Sequence, residues 1–116
     1  MKKVPIAWSE YVKQLDAAKQ KALLDTMDMA LGMINDPECV MSYGVPTIKS
    51  NDTYIIAAGA YKNFLSLYPF GNDAIEANQP LFAHNDKSKG AVRFSYSLLP
   101  KTEQIKAIVQ FNSDKQ

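Results

Sequence analysis

A change of hydrophobic period at Asn35-Asp36-Pro37 leaves this chain few architectures to choose from. Ahead of that tripeptide, Leu23, Leu24, Met27, Ala30, Leu31 and Ile34 recur at the i, i+3/i+4 spacing of a helix with one buried stripe. Lys21, Asp25 and Asp28 fall on the opposite arc and face water. Asp16 is placed to cap this helix, which the pattern carries over residues 17–34, and Ser9 to cap a shorter one reaching about Leu15. Pro37 stops the longer helix because proline disfavours helical torsions at the residue before it.

Beyond Pro37 the period falls to two. Residues 47–50 and 53–60 predict two strands joined by a tight Asn51-Asp52 turn. A third strand is expected over 64–68 and ends at Pro69-Phe70-Gly71-Asn72, after which residues 73–77 make one or two helical turns. A fourth, over 91–97, puts Val92, Phe94 and Tyr96 on one face and Arg93 and Ser95 on the other. After Leu99-Pro100-Lys101, Thr102 caps a closing helix with a stripe of Ile105, Ile108 and Val109. The expected class is α+β: an antiparallel sheet with the N- and C-terminal helices packed on one face. No repeat, linker or low-complexity tract divides the chain, so residues 1–116 are read as a single domain.

Composition excludes several function classes. Thirteen Lys/Arg against twelve Asp/Glu leave a formal charge of +1, which argues against a nucleic-acid binder and against an acidic metal store. No apolar run approaches the ~20 residues of a membrane helix. The segment after Met1-Lys2-Lys3 lacks a signal-peptide core, and with the single Cys39 this points to the reducing cytoplasm. The chain has no Gly-rich phosphate loop, no G-x-S-x-G elbow and no recognisable metal-ligand spacing, so the expectation is a non-enzymatic binding or accessory domain.

Three segments in order carry a family likeness: Ser42-Tyr43-Gly44-Val45-Pro46-Thr47; then Ala57-Ala58, Ala60-Tyr61-Lys62-Asn63 and Leu67-Tyr68-Pro69; then Lys87-Ser88-Lys89-Gly90-Ala91-Val92-Arg93-Phe94 with the closing helix. The set resembles the YdhG-like family of small domains of unknown function, grouped by fold with frataxin and CyaY-like proteins. The resemblance implies a frataxin-like sandwich and, for some members, a role in carrying intracellular iron. Weakly held iron of that kind takes exposed carboxylates. Asp25 and Asp28, at i and i+3, are the pair that could share one cation, although Lys13, Lys19 and Lys21 are interleaved with the N-terminal acids and the other reading is a solvated helix face.

The second candidate set is basic and aromatic. Tyr43, Tyr61, Lys62, Lys89 and Arg93 all lie in the family-like segments. Gathered by the sheet, they suit a small carboxylate or phosphate ligand, since Arg offers a planar fork and Lys a mobile point charge beside tyrosine rings. Gly90 would let the backbone come close. The bland alternative is that the rings pack and the lysines only solubilise. His84 has no second histidine to form a metal site, and Cys39 reads as a small packed side chain. If Phe64, Tyr68, Phe94 and Tyr96 fall on both sheet faces, an exposed apolar patch would mark a homodimer or partner interface.

Overall fold

The structure is a computed structural model that describes residues 4–115. A 3-10 turn, Ile6–Trp8, leads into α1 (Ser9–Lys13). Ser9 is therefore the first residue of that helix and not its cap; its hydroxyl donates back to the Ile6 carbonyl at 2.9 Å. Asp16 caps α2 (Ala17–Leu31), accepting from the Lys19 backbone N–H at 2.9 Å and from its ammonium at 2.8 Å. That bond holds the Asp16 carboxyl below the usual carboxylate range. The helix stops at Leu31 with Gly32 following, short of the expected end, and Ile34 reaches the core from the turn beyond.

Among the described residues six strands follow: β1 (Pro37–Ser42), β2 (Val45–Ser50), β3 (Thr53–Ala60), β4 (Leu65–Tyr68), β5 (Asp86–Ser88) and β6 (Ala91–Phe94). They form one antiparallel sheet in the order β1-β2-β3-β4-β6-β5. The two edge strands are the ones the hydrophobic pattern did not predict. An edge strand buries little, and Pro37 is tolerated there because a free N–H is not needed. β6 is shorter than expected: it ends at Phe94, and the Tyr96 hydroxyl instead donates to the Tyr61 carbonyl at 2.6 Å. Between β4 and β5 lie α3 (Asp73–Ala77) and a second 3-10 turn, Gln79–Phe82. In α4 (Thr102–Ser113) the cap position is Lys101, whose backbone N–H donates to Gln104 Oε1 at 2.9 Å, so Thr102 is the first helical residue.

Register decides which side chains share a face. Ile48, Ile56, Ala58, Leu65, Leu67, Val92 and Phe94 are directly paired or alternate along their strands, and all pack with Trp8, Leu23, Met27, Ala30, Ile105, Ile108 and Val109 in one core. The pairing shifts between Ile48 and Lys49, leaving Ile55 as an extra residue in β3. Such a bulge turns two consecutive side chains to the same side, and Ile55 and Ile56 are both fully buried in the core. Ile55 cannot bond its carbonyl into the ladder in the usual way; the Asn112 amide of α4 donates to it at 2.7 Å, and to the Pro69 carbonyl at 2.8 Å. The result is a mixed α+β fold with a helix-covered face and an uncovered one. Among the described residues no helix is long and apolar enough to cross a membrane.

Candidate functional site: an aromatic cleft on the uncovered face

On the uncovered face the strands present Val45 and Thr47 from β2, Tyr54, Ala57 and Gly59 from β3, Ser66 and Tyr68 from β4, and Arg93 from β6. Most central positions are small. Around them aromatic rings stand up, and a cleft of about 300 Å³ forms between Ser42, Tyr43, Val45, Ala57, Tyr61, Tyr68, Phe70 and Gly90. That volume is at the lower end of the range for small-molecule sites.

Two walls flank Ala57 along β3, and each has the same construction. Phe70 stacks on Tyr54 with ring centres 5.1 Å apart, and Lys49 Nζ sits 5.2 Å from the Tyr54 ring centre. Tyr61 packs on Phe64 at 5.2 Å, with the Arg93 guanidinium 5.7 Å from the Phe64 ring centre. Each wall is thus an aromatic pair braced from behind by a cation. Tyr61 folds back over Gly59 so closely that a Cβ there would lie 2.8 Å from its ring, which explains why β3 carries no side chain at this point.

Backbone strain also reaches the cleft. Among the described residues five non-glycine residues have positive φ: Asp36, Tyr43, Asn51, Asp52 and Phe70. Asn and Asp tolerate this region through their short polar side chains; aromatic residues do not. The β2–β3 turn uses Asn51 and Asp52, whereas the β1–β2 turn uses Tyr43 (φ 53°) with Gly44 (φ 78°). Tyr43 is 96% exposed, so packing does not hold its ring there. The two aromatic residues with strained backbones, Tyr43 and Phe70, both line the cleft.

A tyrosine network ties the cleft to the rest of the sheet. The Tyr61 and Tyr68 hydroxyl oxygens are 2.7 Å apart and share a hydrogen bond. Tyr11, on α1, accepts from the Ala60 N–H at 3.0 Å and its hydroxyl donates to the Ala60 carbonyl at 3.4 Å. Burial pushes the Tyr61 phenol well above its ordinary range, and the bond to Tyr68 raises it further. Tyr11 and Tyr96 are likewise raised, chiefly by burial.

The residues expected from sequence divide. Tyr43 and Tyr61 line the cleft, but the cations do not join them there. Arg93 is held by Asp86 at 3.2 Å and by the Ser88 hydroxyl at 2.8 Å, and acts as a brace behind Phe64. Lys89 lines a different groove of about 520 Å³ with Asn72, Glu76 and Lys87, on the other side of Gly90. Lys62 is exposed and lines neither cavity. The larger groove is the weaker candidate, because the Lys87 ammonium is spent on the Phe82 and Asn85 carbonyls and Glu76 opposes an anion. On α2, the Asp25 carboxylate accepts from Lys21 Nζ at 2.7 Å, and Asp28 is exposed. Among the described residues no three His, Cys, Asp or Glu side chains gather to hold a metal ion. His84 is exposed beside Leu98 and Glu103, and Cys39 is half-buried, its thiol pushed up by burial. Phe70 and Tyr68 are the wall residues that sequence reasoning did not place in a ligand site: Phe70 read as part of a strand break, Tyr68 as part of a family-like segment and an interface ring.

The fold has a solved counterpart. A crystal structure of a DUF1801-family protein, YdhG from Bacillus subtilis, is similar with a TM-score of 0.85 and 15% sequence identity, covering 94% of this chain and 90% of that one. At that identity the likeness shows the fold. No family model matches the chain, and no curated protein matches it.

Proposed function

We propose that this chain is a non-enzymatic binding domain that takes up a small, flat organic molecule in the cleft between Tyr43, Tyr61, Tyr68 and Phe70. The observation that carries this reading is the strained backbone of Tyr43 and Phe70: two aromatic residues sit where Asn, Asp or Gly would fold at lower cost, and both wall the same cleft. Small side chains on the floor, Ala57 above all, leave room for a planar body between Phe70 and Tyr61, each braced by a neighbouring ring. Braced walls lose little freedom on binding, so modest contact area yields usable affinity.

We read residues 1–116 as one domain of the YdhG-like group, working in the cytoplasm. Helices on one face of an antiparallel sheet also support calling the fold a frataxin-like sandwich. The iron cargo which that description suggests has only Asp25 and Asp28 to rest on, and Asp25 is already engaged by Lys21. The anionic-ligand reading keeps Tyr43 and Tyr61 but loses Arg93 to Asp86.

Amide chemical shifts recorded while titrating acetophenone into the protein test the cleft. The expected changes cluster at residues 42–45, 57–61, 68–71 and 90, and Ala57→Leu, which fills the floor, abolishes them while the protein stays folded. Changes centred elsewhere, or unaffected by Ala57→Leu, overturn the proposal.

A further inference from the structure

We infer that the Tyr61–Tyr68 hydroxyl pair is the polar reader of this cleft, selecting neutral flat ligands that carry a hydrogen-bond acceptor such as a ring ketone or amide. The inference rests on the cleft being a binding site and goes on to say what it discriminates.

Two phenols bring two O–H donors, and the bond between the oxygens, 2.7 Å apart, uses one of them. The second has no acceptor among the described residues, and both side chains line the cleft. The pair therefore offers one outward O–H, polarised by the bond behind it. A ligand oxygen placed there satisfies it; a hydrocarbon displaces its water and leaves it unmet.

Charge decides the rest. The lining of Ser42, Tyr43, Val45, Ala57, Tyr61, Tyr68, Phe70 and Gly90 contains no ionisable group besides the phenols. The cations stacked on the wall rings each have an acid beside them, Lys49 with Asp52 at 3.9 Å and Arg93 with Asp86 at 3.2 Å, and Lys62 and Lys89, next in the chain to Tyr61 and Gly90, do not line the cleft. An anion entering the cleft would lose water without gaining a counter-charge. Burial and the mutual bond keep the Tyr61 phenol protonated well into the alkaline range, so the donor persists at any physiological pH.

Three probes of nearly equal shape separate these terms: acetophenone, α-methylstyrene, which replaces the carbonyl oxygen by a methylene, and benzoate. Titrated against the whole protein at neutral pH, acetophenone is expected to bind about tenfold more tightly than α-methylstyrene, the worth of one satisfied hydrogen bond. Benzoate should be the weakest of the three. In the double variant Tyr61→Phe/Tyr68→Phe, which removes both O–H donors, the preference for acetophenone over α-methylstyrene should disappear while α-methylstyrene binds as before. Each single variant keeps one released O–H and should retain it, and far-ultraviolet circular dichroism checks that the variants fold. Equal affinity for ketone and hydrocarbon in the unaltered protein overturns the role of the hydroxyl pair and leaves the cleft standing. Tightest binding by benzoate overturns it in favour of a cation as the reader. Failure of all three to bind overturns the cleft as well.

Discussion

The two faces of the sheet are built from the same strands and use their alternation for opposite ends. On the covered face Ile48, Ile56, Leu65, Leu67 and Val92 are fully buried against two helices. On the uncovered face the neighbouring positions are Thr47, Ala57, Gly59 and Ser66, with aromatic rings raised around them. Thr47, Ala57 and Ser66 are themselves buried, at 0 to 2% exposure, so this second face is not a plain solvated surface. Stability is concentrated on one side and adaptable space on the other, where strained residues can be tolerated because the helix-covered core outweighs them.

Leu67→Ala removes a fully buried side chain from the covered face and should cost about 3 kcal/mol in denaturant unfolding. A loss below about 1 kcal/mol would mean that this face is not where stability resides. Asn112→Ala leaves the Ile55 and Pro69 carbonyls without their donor, and about 2 kcal/mol should disappear in the same measurement. An unchanged midpoint would show that the bulge does not need α4 to satisfy it.

On the other face the sign should reverse. Tyr43→Asn relieves an aromatic residue of its left-handed backbone and should raise stability by about 0.5 to 1 kcal/mol while weakening ligand uptake in the cleft. If the melting temperature falls instead, the ring supports the fold and the contrast between faces blurs. The smallest effect is expected in the pH dependence. Tyr61 has its folded pKa raised above the ordinary 10.0 by burial and by Tyr68, so the unfolded chain ionises first. Its contribution is fully present below about pH 10 and declines as the pH climbs through the raised value. Tyr61→Phe should flatten that alkaline decline in thermal melts, and an identical profile would remove Tyr61 as its source.

Much of the covered face is legible in the sequence. The stripes Leu23-Met27-Ala30 and Ile105-Ile108-Val109 place two helices, and alternation places the central strands, because burial on one side imposes a local period. The edges β1 and β5 bury little and leave no such trace. That gap propagates to the candidate site. Arg93 reads as an available cation until β5 is seen to bring Asp86 opposite it, seven residues away in the chain. Phe70 looks like a strand breaker, since nothing in its neighbours reveals a φ of 56° or a partner at Tyr54. Tyr43 and Tyr61 were reachable only through family-like segments, not through any chemical spacing of their own.

Taken alone, the order of residues determined the helices, the central strands and the α+β class, because hydrophobic period is a property of consecutive residues. Which rings face one another across Ala57, which cations are neutralised and where a donor is left over were decided by strand register and by the bulge at Ile55. Those depend on pairings between distant segments, and a shift of one residue in any of them would send every side chain concerned to the opposite face.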